Sequence, residues 1–300
     1  MALRIMSSNA DKIDVCIPTW NSGKTLELCL RSVVREIPIN CIRVVDNFSI
    51  DETVKIAEKY GASILQKKCG IGKARQYLIE SVTTECFAFI DSDVVLREGW
   101  FREIMERMKS DPKVGAVYGL WLSDNPQNRH FWEVWWERIG QDHPLWERGY
   151  LIDTLIRTEA VKGISIPEWM NNYEDKYIRE YITSRGYRCT VAKKAVGDHL
   201  VGESGFWKTC RGKRYLGAGI RLWKDLDPSA SASKLLSMGF TESVVAFYVA
   251  VKARDPLIIP FKFFTFLFTI LGYVGSSHTL LGDIEKDSDY RKQYTKFRRD

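Results

Sequence analysis

The chain lacks the cysteine pairs and the N-terminal apolar segment that mark several classes of protein. It has 300 residues and seven cysteines, which stand singly and never as a C-x-x-C pair. An odd, unclustered set argues against a disulfide framework or a zinc site and favours reduced thiols in a cytosolic setting. Residues 1–11 contain no apolar run typical of a signal peptide, so we expect no secretory leader.

The sequence also lacks internal repeats, low-complexity tracts and a strong excess of charge. The net charge is +6 at pH 7, which could favour anionic lipid, nucleotide or nucleic acid without choosing among them. Hydrophobic residues make up 45% of the chain. This composition provides for a sizeable core in one large or two medium domains.

Short apolar runs alternate with segments of helical periodicity in the first hundred residues, where the predicted strands are 13–18, 42–45, 63–65 and 86–90. Two further strands are predicted later in the chain, at 114–122 and 151–156. Helices between short apolar strands imply right-handed crossovers. The expected fold class is therefore α/β, with a doubly wound, mostly parallel sheet flanked by helices.

Two aspartates flank one serine directly after the run at 86–90. Asp91 and Asp93 would lie at the carboxyl end of a buried strand, where open α/β sheets bind their ligands. Such oxygen-only, doubly anionic chemistry suits a hard cation such as Mg²⁺ or Mn²⁺, which would itself hold a phosphate. On this pair alone, a solvated turn is the favoured alternative.

Further segments follow the motifs of one enzyme family. Residues 15–21 resemble the pattern V-x-I-P-x-[YF]-N, with Trp20 at its aromatic position, and 44–53 contain V-D-[DN]-x-S-x-D-x-T. Residues 70–76 follow G-x-x-x-A-R-N, with Gln76 where asparagine is usual. The spacing of a nucleotide-binding phosphate loop, G-x-x-x-x-G-K-[ST], is absent from this stretch.

Two later segments complete the ordered set. Residues 91–93 match D-x-D, and 172–175 contain an E-D pair that precedes a helix and a Gly-Tyr pair at 186–187. On these segments the chain resembles an inverting nucleotide-sugar glycosyltransferase of family 2, with the GT-A fold, over roughly residues 13–199. The resemblance implies a hexosyltransferase that works by single displacement.

The resemblance also assigns roles to acidic residues and a histidine. A divalent ion, Mn²⁺ or Mg²⁺, would be held by Asp93 with Asp91 nearer the ribose, and would neutralise the leaving diphosphate. Asp175 would be the general base, and Glu174 would help to orient the acceptor. An ordinary acidic helix N-terminus is the alternative for this pair. His199 is a candidate third metal ligand, with a structural or exposed histidine as the alternative.

The predicted donor site draws on several parts of the chain. Its residues are Pro18, Thr19, Asn21, Asp46, Arg75, Asp91 and Ser92. The turn at 18–21 can hold a nucleoside through free backbone groups, and Asp46 could accept a hydrogen bond from the base. Arg75 would face the diphosphate. The alternatives are a turn leading to a helix for Asp46 and a solvated helical arginine for Arg75.

Tryptophans crowd the segment that precedes the acceptor side. They are Trp121, Trp132, Trp135, Trp136 and Trp146. Aromatic faces pack against sugar C–H surfaces, so an acceptor-binding role is one interpretation and core packing is the other.

A change in composition places a domain boundary near residue 204. Residues 1–204 would form the GT-A catalytic domain, in which the nucleotide-sugar half extends to about residue 110 and the acceptor half follows it. Residues 205–300 would form a helical membrane-associated module. Basic and aromatic residues before 225 suit an anionic membrane surface. Residues 257–281 are apolar and long enough to span a bilayer, and 235–251 are a weaker candidate. Burial in the protein or in a homo-oligomer is the alternative.

The predicted function is a metal-dependent inverting glycosyltransferase at the membrane, with a cytoplasmic catalytic domain. Its partners would be a UDP- or GDP-sugar donor and a polyprenyl-type lipid or lipid-linked glycan acceptor. A sugar-phosphate nucleotidyltransferase is the enzyme alternative, but residues 19–22 lack its glycine-rich basic loop. A catalytically inactive glycan- or nucleotide-binding module is the second alternative. Nucleic-acid binding is disfavoured, because the basic residues lie beside apolar stretches.

Overall fold

The computed structural model describes residues 12–138, 151–168, 170, 173–200, 205–223 and 231–275. The chain divides into two units, which we describe separately. Unit 1 comprises residues 1–121 and 141–200, and unit 2 comprises 122–140 and 201–300. The boundary near 204 and the halves of the catalytic domain stay predictions.

The strands form one mixed sheet. They are β1 Ile13–Thr19, β2 Ile39–Asp46, β3 Ser63–Gln66, β4 Cys86–Ile90, β5 Val94–Leu96, β6 Val114–Ser123, β7 Asp153–Arg157 and β8 Arg188–His199. Their order across the eight-stranded sheet is β3-β2-β1-β4-β7-β6-β8-β5.

Helices alternate with the strands in unit 1. They are α1 Leu26–Glu36, α2 Thr53–Lys59, α3 Ile71–Ser81, α4 Trp100–Lys109, α6 Thr158–Val161 and α7 Glu174–Ser184. The helix between β6 and β7 is α5 Pro126–Arg138, and α8 Phe206–Trp223, α9 Ala232–Ala253 and α10 Ile258–Gly275 follow β8.

The pairing directions divide the sheet into two parts. Strands β1 to β4 pair in parallel, as the strand–helix alternation predicts. The pairs β4–β7, β6–β7 and β5–β8 are antiparallel. The α/β class with flanking helices is confirmed, but parallel pairing does not extend past β4. Antiparallel neighbours need no crossover helix, so the alternation that predicts the first part carries no signal for the second.

The core of unit 1 follows from hydrophobic periodicity. All seven residues of β1 are buried, as expected for a parallel strand covered on both faces. On α1 the buried residues Leu26, Cys29, Leu30 and Val33 recur at helical spacing and join the cluster that contains Val15. This packing fixes the carboxyl ends of β1, β2 and β4 at one edge of the sheet.

Unit 2 contains a close helix crossing between α8 and α10. A Cβ atom on Gly217 would lie 1.8 Å from the carbonyl oxygen of Thr269, and one on Gly272 would lie 2.0 Å from that of Arg214. The two backbones are therefore in direct contact, a kind of packing that only glycine allows at these positions.

Two helices of unit 2 are long and apolar enough to cross a membrane, judged by length and composition alone. They are Leu235–Ala253 and Ile258–Gly275. Core helices of soluble proteins pass the same test. The last residues of the apolar segment predicted at 257–281 lie outside the described residues.

Candidate active site

The loops after β1 and β2 are joined by hydrogen bonds that backbone N–H groups donate to side-chain oxygens. The N–H of Asn21 donates to Ser49 Oγ at 2.8 Å, and the N–H of Ile50 donates back to Asn21 Oδ1 at 2.9 Å. The N–H of Ser22 donates to Thr53 Oγ1 at 2.7 Å. Asn21 has a φ of 49°, in the left-handed region that asparagine tolerates. The two loops therefore form one ordered rim.

Asp46 lies fully buried at the base of this rim. Its carboxylate accepts hydrogen bonds from Thr19 Oγ1, from the N–H and Oγ of Ser49, and from Gln66 Nε2. A carboxylate offers about four lone-pair sites, so a nucleoside base could bind Asp46 only by replacing one of these partners. In this structure Asp46 holds the loop, and its predicted contact with a base stays a prediction. Pro18 and Thr19 are buried in β1.

The D-x-D segment lies beside the same rim. Ser22 Oγ and Ser92 Oγ are 2.7 Å apart, which connects the loop after β1 to the loop after β4. Val94 pairs with His199 in the β5–β8 ladder, and His199 Nε2 lies 3.2 Å from Asp93 Oδ2. The structure therefore brings together two of the predicted metal ligands from positions 106 residues apart in the sequence.

The donor atoms at this place fit a divalent ion. Carboxylate oxygens of Asp91 and Asp93 suit Mn²⁺ or Mg²⁺, and the imidazole of His199 favours Mn²⁺, since Mg²⁺ takes oxygen ligands. Across the described ranges, no group of three or more acidic, histidine or cysteine side chains stands ready to hold a metal ion.

Arg75 connects the D-x-D segment to the predicted base. Its side chain is buried on α3, with Nη2 3.2 Å from Asp91 Oδ1 and Nε 3.4 Å from Glu174 Oε1. The guanidinium carbon lies 5.3 Å from the centre of the Phe89 ring. The ionic partners seen for Arg75 are thus the carboxylates of Asp91 and Glu174. Its predicted contact with the donor diphosphate stays a prediction.

The acidic pair at the start of α7 lies beside these groups, with Glu174 buried and Asp175 half-buried. Asp175 accepts a hydrogen bond from the N–H of Lys176 at 2.7 Å. Burial and the charge of Glu174 raise the pKa of Asp175, whereas Arg75 lowers it. Burial likewise raises the pKa of Asp91 to about 7, against the opposing effect of Arg75. Both carboxyl groups therefore bind protons more strongly than exposed aspartates do.

Another buried carboxyl group, that of Asp153, is absent from the sequence-based predictions. Asp153 Oδ2 accepts a hydrogen bond from Trp100 Nε1 at 3.0 Å. A Cβ on Gly119 would lie 2.1 Å from the same oxygen, so the glycine makes room for the carboxyl group. Burial raises the pKa of Asp153 to about 8, and the charge of Asp91 adds to the effect. A lone aspartate that opens a strand gives no signal in the sequence.

Asp153 should make the stability of the protein depend on pH. Because its folded pKa lies above the unfolded value of 3.8, the folded state binds more protons between about pH 4 and 8, and stability falls as pH rises through that window. We expect Asp153→Asn to flatten this fall. The measurement is the melting temperature in the presence of chelator. Between pH 5 and 8 it should fall by at least about 4 °C more in the wild type than in the variant.

Asp111→Asn is the matched control for this experiment. Asp111 is partly exposed, and the N–H of Lys113 and the charge of Arg188 lower its pKa. Its replacement should leave the slope between pH 5 and 8 unchanged. An Asp153→Asn variant with the wild-type slope would show that Asp153 does not titrate in this range.

The tryptophans of the predicted acceptor region do not share one described environment. Trp121 lies edge-on to His199, with ring centres 5.5 Å apart. Trp132 packs against Phe131 at 5.3 Å in unit 2. The side chains of Trp135 and Trp136 and the whole of Trp146 lie outside the described residues. An acceptor-binding role for this set stays a prediction.

Comparison with known proteins finds a family match over part of the chain. A profile described as Glycosyl transferase family 2 matches residues 14–161. An uncharacterised protein of Mycobacterium tuberculosis (strain CDC 1551 / Oshkosh) is 29% identical over 150 residues, which are 47% of this chain and 45% of that protein. The chain thus spans less than half the length of this curated relative.

Solved structures show the same fold. The mannosyltransferase PcManGT from Pyrobaculum calidifontis, in complex with GDP-Man and Mn²⁺, has a TM-score of 0.62 at 17% identity, covering 88% of this chain and 86% of that one. TarS of S. aureus with UDP-GlcNAc has a TM-score of 0.52 at 16% identity, covering 88% and 91%. At these identities the similarity shows the fold alone. The fold is GT-A, and residues 14–161 are similar to glycosyl transferase family 2.

Proposed function

We propose that the protein transfers a sugar from a nucleoside-diphosphate sugar to an acceptor hydroxyl or phosphate, with inversion at the anomeric carbon. The observation that carries the proposal is the convergence of two acidic sets at one edge of the sheet. Asp91 and Asp93 form the donor-side set, Glu174 and Asp175 form the acceptor-side set, and Arg75 contacts a member of each. A single displacement needs both sets and no enzyme nucleophile.

Asp93, His199 and Asp91 would hold a Mn²⁺ or Mg²⁺ ion. When bound, the ion would neutralise charge on the leaving diphosphate. The contact between Asp93 and His199 supports this set. The solved structures of PcManGT with GDP-Man and Mn²⁺ and of TarS with UDP-GlcNAc agree with a donor of this class.

Asp175 would act as the general base. Its carboxylate would accept the acceptor proton as the oxygen attacks, and a raised pKa makes it a better proton acceptor near neutral pH. Asn21, Ser92 and the ordered rim would orient the nucleoside, since the rim already presents a fixed surface.

The exposed surface of unit 2 supports membrane association. One apolar stripe on α9 comprises Leu236, Phe240, Val244, Phe247 and Val251, and one on α10 comprises Ile259, Phe263, Leu267, Leu271 and Val274. Basic side chains of α8, Lys208, Arg211 and Arg214, are also exposed. Apolar stripes with nearby basic groups suit an anionic bilayer, and hence a lipid-linked acceptor such as a polyprenyl phosphate or a lipid-linked saccharide.

Charges placed on these stripes should release the protein from membranes. We expect the double variant Phe240→Glu, Phe263→Glu to bind vesicles of phosphatidylglycerol and phosphatidylcholine at least about tenfold more weakly in flotation assays, because carboxylates enter the bilayer at high cost. Leu28→Glu, at an exposed apolar position of α1, should bind as the wild type does. Unchanged flotation, together with loss of a dimer in light scattering, would instead show that the stripes join two copies.

Sugar transfer itself can be tested directly. Purified protein would be incubated with a panel of UDP- and GDP-sugars, a polyprenyl acceptor extract and either Mn²⁺ or Mg²⁺, and products followed by mass spectrometry. Transfer that stops on adding chelator supports the proposal. Nucleotide binding without turnover across the whole panel would contradict it and favour an inactive binding module.

A further inference from the structure

Arg75 stands at an unusual place for a residue that is expected to bind phosphate. The guanidinium is buried, its relative exposure being 4%. Its Nη2 and Nε reach Asp91 and Glu174, respectively, and its guanidinium carbon lies 5.3 Å from the centre of the Phe89 ring. The side chain therefore spans from the end of β4 to the start of α7.

The charges around Arg75 make this arrangement a unit. A buried guanidinium is costly unless carboxylates surround it, and a buried carboxylate such as that of Glu174 is costly without a cation beside it. Removing Arg75 would leave Asp91 and Glu174 without that cation. The three elements that carry these residues are thus linked through one side chain.

Each carboxylate held by Arg75 lies next to a residue with a proposed chemical task. Asp91 is two residues from Asp93, and Glu174 directly precedes Asp175. We propose that Arg75 is a positioning residue, which holds the donor-side and acceptor-side carboxylates as one ion-paired unit. This inference rests on the proposed function and differs from the diphosphate contact that the family resemblance implies.

Steady-state kinetics separate these two roles. If Arg75 positions carboxylates, Arg75→Gln should lower kcat by about 10²-fold, the typical effect of misplacing reacting groups by 1 Å. The donor KM should change by less than about threefold, and Arg75→Lys should recover part of the loss because it keeps the charge. A donor KM raised tenfold or more with kcat retained would overturn the inference, as would unchanged kinetics. Arg102→Gln, at an exposed arginine of α4, is the matched control.

A double-mutant cycle tests the same inference without any substrate. The unfolding equilibria of the wild type, Arg75→Gln, Glu174→Gln and the double variant would be measured in urea with chelator. Contacting residues give non-additive effects, and we expect coupling on the order of tenfold in the unfolding constant. Additive effects would overturn the inference. Should the wild type fail to transfer any sugar while the cycle shows coupling, the proposed function fails and the ion-paired unit stands.

Discussion

Replacement of Asp175 by asparagine is expected to lower kcat for sugar transfer by about 10²- to 10⁴-fold, the range typical for loss of a general base. Asparagine has a similar shape and can keep the hydrogen bond from the N–H of Lys176. It cannot accept the acceptor proton. Donor KM and nucleotide affinity should therefore stay close to the wild-type values. Initial rates at saturating donor, with calorimetric titration of the nucleotide, provide the measurement.

The pH profile gives a second test of the same residue. A base works in its ionised form, and burial with the neighbouring Glu174 raises the pKa of Asp175. Activity of the wild type should consequently rise with pH through the neutral range, and Asp175→Asn should lose this dependence. Glu106→Gln, an exposed acid-to-amide change on α4, should match the wild type. Near-normal turnover by Asp175→Asn would assign the base elsewhere.

Replacement of Asp93 by alanine is expected to remove metal-dependent nucleotide binding and to lower kcat/KM by about 10³-fold or more. A metal ion contributes several kcal/mol of charge stabilisation, and each 1.36 kcal/mol changes a rate about tenfold. Asp93 is the carboxylate that contacts His199. The measurement is the affinity for UDP or GDP by calorimetry, with and without Mn²⁺.

The control for Asp93 comes from the same segment. Glu98 is exposed shortly after β5, and Glu98→Ala should keep Mn²⁺-dependent nucleotide binding. If Asp93→Ala still bound nucleotide more tightly with Mn²⁺ than without it, Asp93 would not be the principal metal ligand. If Asp93→Ala and His199→Ala each lost only part of the Mn²⁺-dependent nucleotide binding, the two residues would share the role of metal ligand.

The part of the fold that sequence patterns predict is the part with local signals. Strands β1 to β4 are short apolar runs between helices, and their prediction is confirmed. Strand β5 has three residues, and β8 carries Arg188, Lys193 and Lys194 among its twelve. Neither pattern stands out from a loop. The placement of β7 beside β4 depends on pairing between distant residues, for which apolar periodicity gives no signal.

The candidate site shows the same division. Motif spacing marks Asp91, Asp93 and Asp175 in the sequence, and their roles stay predictions. Their connections could not be predicted, since Arg75 and Glu174 are 99 positions apart and meet only through the packing of α3 and α7. The buried carboxyl group of Asp153 could not be predicted, because it occupies the space that Gly119 leaves by having no side chain.

The hydrogen-bonded rim formed by the loops after β1 and β2 has a consequence for selectivity. Its backbone is ordered by contacts such as those of Asn21 with Ser49 and Ile50. A ligand that binds there has little loop conformational entropy to remove, so preorganisation favours its affinity. A surface that is already fixed also adapts poorly to a second shape. Discrimination among purine and pyrimidine donors should thus depend on the exposed side chains that flank the rim, Trp20 and Phe48, more than on movement of the loops.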